Sequence, residues 1–232
     1  MMKTIGLLGG MSWESSLGYY QKINQGIRQH LGGLHSAQIA MYSVDFAPIE
    51  RLQHQGDWQG AAELLIQGAR AVEAAGADFL LICTNTMHKV APEIEASISI
   101  PLLHIVDALA AHLQSQNIST VGLLGTRFTM QDSFFRQRLQ QQFGIQVLVP
   151  SEPDMEIVHR VIYEELCQGR IDEQSREKYL SIINQLSGQG AQGMVLGCTE
   201  IGLLLQQHHC AVPLFDTLDI HVDAAVQKAL ID

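Results

Sequence analysis

Thr4-Ile5-Gly6-Leu7-Leu8-Gly9 returns later in the chain as Thr120-Val121-Gly122-Leu123-Leu124-Gly125, an offset of 116 residues. Each copy is a short apolar run ending in glycine, the pattern of a buried parallel strand entering a turn. Two more segments repeat in the same order. Gly76-Ala77-Asp78-Phe79-Leu80-Leu81-Ile82-Cys83 returns as Gly190-Ala191-Gln192-Gly193-Met194-Val195-Leu196-Gly197, at an offset of 114. Ile100-Pro101-Leu102-Leu103 returns as Val212-Pro213-Leu214-Phe215, at an offset of 112. Three matches in one order and at nearly one spacing indicate a duplicated unit of roughly 110 residues, far longer than a solenoid repeat.

Between the strand-like runs lie helical patterns. Trp13–Arg28 carries Leu17, Tyr20, Ile23 and Ile27 at helical spacing. Gln38–Ser43 reads as the next strand, and Trp58–Ala75 as an alanine-rich amphipathic helix closed by Gly76. Phe79–Ile82 reads as a strand, His88–Ala96 as a helix with Pro92 near its first turn, and Ile100–Ile105 as a short strand. This alternation predicts an α/β fold made of two similar domains with parallel sheets. The expected domains are residues 1–115 and 116–216, divided at the polar stretch Gln114–Ser119. The last helix, Asp219–Leu230 within residues 217–232, is expected to pack back on the first domain.

The 232 residues are 47% hydrophobic, enough for one large or two small α/β cores. Mean hydropathy is +0.08 and no apolar run approaches the length of a membrane span. The net charge of −10 and the lack of a Lys/Arg cluster argue against nucleic acid and anionic membranes as partners. Met1-Met2-Lys3-Thr4 leads into an apolar run too short for a secretory signal, so a cytoplasmic protein is expected. Cys83, Cys167, Cys198 and Cys210 form no C-x-x-C pair, and free thiols follow from that reading.

In open parallel sheets, ligands sit beyond the carboxyl ends of the strands. Phe79–Ile82 runs into Cys83-Thr84-Asn85-Thr86-Met87-His88, and Met194–Leu196 into Gly197-Cys198-Thr199-Glu200. Two such domains facing each other would set these ends on opposite walls of one cleft. Taken without gaps at the offset of 114, Thr84 falls opposite Cys198, Asn85 opposite Thr199 and Thr86 opposite Glu200. Alternate residues of a strand face opposite sides. If Cys198 faces the cleft, its counterpart is therefore Thr84, and Cys83 turns away into packing. Helix starts and short polar side chains at both ends suit a small carboxylate or phosphate. There is no G-x-x-x-x-G-K-[ST] loop, and Gly6-Leu7-Leu8-Gly9-Gly10 is not a dinucleotide fingerprint. His208-His209-Cys210 is the nearest zinc candidate, but adjacent residues do not converge, so it reads as surface and no metal is expected.

Together, Thr4–Met11, Asn85-Thr86-x-His88 and Gly197-Cys198-Thr199-Glu200 resemble the aspartate/glutamate racemase family of cofactor-independent amino-acid racemases. The resemblance runs over essentially the whole chain. It implies two α/β domains related by a pseudo-two-fold axis, with the active site in the cleft between them and no cofactor. In the family, two cysteines face each other across the substrate α-carbon, and each removes or returns its proton. The first of these directly precedes Asn-Thr; here that place is Thr84, and Cys198 matches the second. The resemblance therefore implies an asymmetric catalytic pair, Thr84 and Cys198, closest to a broad-specificity branch in which this asymmetry occurs.

A thiol ionises near pH 8.5 and is easily shifted, so Cys198 is expected to reach thiolate at neutral pH. A threonine hydroxyl does not ionise there, but it can donate or relay a proton. The substrate α-carboxylate would sit on backbone N–H groups at Asn85, Thr86 and Thr199. Glu200 would hold the ammonium group or cap a helix, and Met11 would line the pocket. Gln53 resembles the side-chain contact of the broad-specificity enzymes. The lysine of the aspartate-specific enzymes is replaced by Cys167 within Ile162–Gly169. Asp45–Glu50 lacks their arginine, and Arg51 is out of register. A neutral amino acid therefore fits at least as well as an acidic one. Three other readings remain: a decarboxylase or isomerase of small carboxylic acids on the same architecture, an amino-acid-binding protein, and a pyridoxal enzyme for which Lys89 is the nearest lysine. A homodimer is among the expected states.

Overall fold

The computed structural model describes residues 2–231, which divide into two compact units. The first runs to Ile105 and takes up the chain again from His221; the second is Val106–Ile220. The division falls earlier than the Gln114–Ser119 stretch, so the helix preceding that stretch belongs to the second unit and not the first. The final helix begins in the second unit and ends in the first.

In the first unit the order is β1 (Ile5–Gly9), α1 (Trp13–Leu31), β2 (Ile39–Ser43), α2 (Phe46–Gln55), α3 (Trp58–Ala74), β3 (Phe79–Ile82) and α4 (Ala91–Glu95). The sheet is parallel, in the order β2-β1-β3. β1 and β3 are buried at every position, which is why they read as unbroken apolar runs. Polar side chains start the helices. The Ser12 hydroxyl accepts from Ser15 N–H, Asp45 from Ala47 N–H and Asp57 from Gly60 N–H. α3 buries Ala61, Ala62, Leu65, Ala69 and Val72. Gly68 lets α3 lie close, since a Cβ there would stand 2.6 Å from a Leu8 methyl. Gly10 turns the chain out of β1 at φ +95°, where a Cβ would fall 2.3 Å from the Val44 carbonyl oxygen.

The second unit holds α5 (Ile105–Ser115), β4 (Thr120–Gly125), α6 (Arg127–Gln131), α7 (Ser133–Gln137) and β5 (Gln146–Leu148). There follow α8 (Glu152–Glu164), α9 (Glu173–Gly188), β6 (Met194–Gly197), α10 (Ile201–Leu204), β7 (Leu214–Asp216) and the first turn of α11 (Thr217–Leu230). Its sheet is parallel in the order β5-β4-β6-β7.

The two sheets share one plan. β1 matches β4, β2 matches β5 and β3 matches β6. The fourth place is β7 in the second unit and a single bridge, Leu80 to Leu102, in the first. Ile100–Ile105 is therefore not a full strand. Leu80 N–H donates to Pro101 O and Leu103 N–H to Leu80 O, after which the chain turns into α5. His88–Ala96 likewise splits into a 3-10 turn, Thr86–Val90, and the short α4 with Pro92 at its start. The ladders carry the repeat register on their own. Leu8 pairs with Ile82, and its counterpart Leu124 pairs with Leu196. Thr84 and Cys198 therefore stand equally far beyond matched strand pairs.

Candidate functional site

At the end of β3, Cys83 is fully buried; its N–H donates to Leu8 O and its carbonyl accepts from Ser15 Oγ at 3.2 Å. Burial pushes its thiol above the usual thiol range. Thr84 is half-buried, and Asn85 and Thr86 are buried. The Thr84 carbonyl lies 2.8 Å from His88 Nδ1. His88 Nε2 accepts from Ile105 N–H at 3.2 Å, so Nδ1 carries the proton and donates to Thr84. One tautomer of a buried imidazole thus fixes the backbone of the Thr84 turn. His88 is stacked edge-on against His104, with ring centroids 4.5 Å apart.

Met11 is buried in the turn after β1. Gln53 and Ile49 are the buried residues of α2, whereas Arg51 is exposed. Gln53 Nε2 donates to Met87 Sδ at 2.7 Å, and its Oε1 has no hydrogen-bond partner. The Lys89 ammonium lies 3.9 Å above the Trp58 ring, which occupies the one lysine considered for a pyridoxal site.

At the end of β6, Cys198 is buried and its Sγ donates to Glu200 Oε2 at 3.0 Å. Thr199 Oγ1 donates to the same oxygen at 2.8 Å. Glu200 opens α10, but its side chain makes no capping bond there. The bond to Cys198 corrects the expectation of a thiolate at neutral pH. Burial first, then the Glu200 charge, then Cys167 and the S–H bond itself raise the Cys198 pKa well above the ordinary thiol value. The pair is a thiol donating to a carboxylate. Thr217 Oγ1 donates to Leu196 O at 2.9 Å and anchors this strand end from α11.

The elements that follow the two strand ends are short, so their peptide dipoles supply little. Backbone N–H donors remain as the means of holding an anion. Two hydroxyl pairs escaped the sequence reading. Ser12 and Ser15 start α1, and Thr126 and Thr129 start α6, with the first of each pair accepting from the N–H of the second. Ser15 braces the Cys83 carbonyl, and the Thr129 methyl would stand 3.4 Å from a Cβ built on Gly197. The repeated spacing of a hydroxyl residue, two others and another hydroxyl residue was their only signal. His208 and His209 stack on each other at 4.0 Å in a turn, with His208 exposed. Among the described residues no three His, Cys, Asp or Glu side chains converge on a metal-sized site.

A two-sheet parallel α/β chain with a thiol–carboxylate pair at one strand end and Asn-Thr at the equivalent end defines a class. Residues 8–225 match the Asp/Glu/Hydantoin racemase family, and the chain belongs to it. Relatives sharpen the comparison. The structure of a Yersinia pestis protein, assigned provisionally as an Asp/Glu racemase, is 53% identical with a TM-score of 0.93, over 99% of this chain and all of that one. An aspartate racemase homologue from Pyrococcus horikoshii is 32% identical with a TM-score of 0.86, over 98% and 99% of the two chains. The broad specificity amino-acid racemase RacX of Bacillus subtilis is 22% identical over 214 residues, 92% of each protein.

Proposed function

We propose that this protein racemises free amino acids without pyridoxal phosphate, with Cys198 as the principal acid and base and Thr84 on the other face of the α-carbon. The Cys198–Glu200 hydrogen bond carries this reading, because it gives the buried thiol a place to leave its proton. As a base, Cys198 acts as S⁻ with the proton on Glu200 and takes the α-proton to become S–H. As an acid, it returns a proton to the planar carbanion. Only one face of the α-carbon is served this way; on the other, Thr84 relays a proton from a solvent water it positions, and the proton taken by Cys198 leaves to solvent and resets the pair. Backbone N–H groups at Asn85, Thr86 and Thr199 hold the carboxylate as charge develops. The reading gains support from family membership and from the racemases among its relatives.

For the substrate side chain, we propose a neutral or broad class rather than aspartate alone. α2 turns Gln53 inward and Arg51 outward, so its buried polar contact is an amide and not a cation. The proposed setting is cytoplasmic, and the proposed working form is a homodimer.

The test is a panel of pure L- and D-amino acids in heavy water without added cofactor, followed by chiral chromatography and by NMR of the α-proton. Wild type should exchange one enantiomer faster than the other. Thr84→Cys should bring the two rates together, Cys198→Ala should lower both at least 10²-fold, and Cys83→Ala should cost little. Carbon dioxide release without inversion would favour a decarboxylase. Tight binding with no exchange would leave only a binding protein.

A further inference from the structure

The residues that follow a strand form the rim where a parallel sheet holds its ligand. Seven strands end in this chain. Among the described residues, one lysine or arginine falls within three places of any of those ends: Arg127, two residues past β4. β4 pairs with β6 through Gly125 and Gly197, and Cys198 is the next residue after Gly197. The chain at Arg127 therefore leaves the sheet one strand over from the thiol, and neighbouring strands lie about 4.8 Å apart.

Helix α8 holds Arg127 at two points. Its N–H donates to His159 Nδ1 at 3.2 Å, and its guanidinium Nη2 donates to Glu156 Oε2. The His159 ring packs on Phe128 and Tyr163, with centroids 6.2 and 4.8 Å apart, which steadies the backbone beneath the guanidinium. Counted from the capping side chain, His159 is the eighth residue after Ser151, as Gln53 is the eighth after Asp45 in α2. Buried Met155 and buried Ile49 each stand fourth in the same counts. α8 thus sets Arg127 beside the place in the second unit that corresponds to Gln53 in the first, and Gln53 is the proposed side-chain contact.

The Arg127 and Glu156 side chains are 45% and 55% exposed. A pair screened by water in this way contributes little, so one carboxylate is exchanged for another at small cost. Glu156 engages the guanidinium through one oxygen, whereas the planar fork can hold a carboxylate by two parallel N–H bonds. A substrate with a second carboxylate offers the same chemistry as Glu156 in a better geometry. A neutral side chain leaves the pair closed.

We infer that Arg127 reads the side-chain carboxylate of dicarboxylic amino acids, and that Glu156 competes for it and so sets the balance between acidic and neutral substrates. The inference rests on the racemase reading, which sets the α-carbon at Cys198. Glutamate and glutamine have nearly one shape and differ in charge, so their ratio isolates the contact. The experiment measures α-proton exchange in heavy water and calorimetric binding of both, on wild type, Arg127→Met and Glu156→Gln, at low and high salt. Arg127→Met should lower kcat/KM and affinity roughly tenfold more for glutamate than for glutamine. Glu156→Gln should move the ratio the other way, by roughly threefold. Added salt should weaken glutamate relative to glutamine in wild type and should move that ratio less in Arg127→Met. Equal losses for both substrates in Arg127→Met would overturn the assignment, as would a ratio indifferent to Glu156→Gln and to salt, or a wild type that does not bind glutamate. Binding that follows the expected ratios, with no exchange of either substrate, would uphold the contact and defeat the racemase reading.

Discussion

At Cys198, burial and the neighbouring carboxylate act in the same direction, and both hold the proton on sulfur. A hydrogen bond to a charged acceptor is worth about 1.5–3 kcal/mol, so the thiol form is favoured until a substrate rearranges the pair. Glu200→Gln separates the two influences. With the negative charge gone, the thiol pKa should fall toward its ordinary value, and alkylation of Cys198 should begin at lower pH. The same change removes the proton acceptor of the proposed mechanism, which predicts a drop in racemisation of roughly 10²-fold even though the sulfur is more readily ionised. Peptide mass spectrometry following carboxymethylation of Cys198 against pH, with turnover measured on the same samples, checks both halves. An unmoved alkylation profile would show that the Cys198–Glu200 contact does not govern the thiol.

At the scale of elements, the end of β3 is held by a side chain a few residues past the repeated segment. His88, in the 3-10 turn after β3, donates to the Thr84 carbonyl and accepts from the first N–H of α5, so in the proposed site it is a positioning residue that acts through the Thr84 backbone. His88→Ala should lower kcat about tenfold with little change in KM. His88→Asn, whose amide can still donate to Thr84, should recover much of that loss, as steady-state rates with each enantiomer would reveal. Equal loss in both variants, or a change confined to KM, would make the histidine merely structural. β1, β3, β4 and β6 were legible in the sequence because strands buried on both faces must be apolar at every position. The equivalent places of Thr84 and Cys198, each two residues past a matched strand pair, were legible from the ungapped repeat. α2 was missed because Asp45 and Pro48 look like turn residues; the first is in fact its cap, and the second falls in the first turn, where a missing N–H costs nothing. The Cys198–Glu200 and His88–Thr84 bonds depend on how the chain turns after the strand, which no residue pattern specifies.

On the scale of the molecule, α11 brings the C-terminal segment back to the first unit, and His221 is where it is fastened. The ring is fully buried. Its Nε2 lies 2.8 Å from the Leu103 carbonyl and its Nδ1 2.8 Å from the Tyr19 hydroxyl. A carbonyl only accepts, so Nε2 carries the proton, Nδ1 accepts from Tyr19, and the ring is neutral. Three segments distant in sequence meet on this one side chain, with the His88 ring 6.0 Å away. Burial lowers the His221 pKa from 6.5 to about 4, only partly opposed by the bond to Leu103. The folded state therefore disfavours protonation relative to the unfolded chain. The stability involved is fully present above about pH 6.5, declines as pH falls and is spent near pH 4, and it amounts to about 3 kcal/mol at that limit. Between pH 6.5 and 5, where most carboxylates stay ionised, about 2 kcal/mol of that loss should appear. Urea unfolding at pH 7.5, 6 and 5 should show the midpoint falling for wild type. His221→Gln should be less stable at pH 7.5, because the Tyr19 and Leu103 contacts are weakened, yet its midpoint should fall less between pH 7.5 and 5. An equally steep fall in the variant would assign the acid sensitivity to other groups, with the buried His88 and His104 next to be replaced.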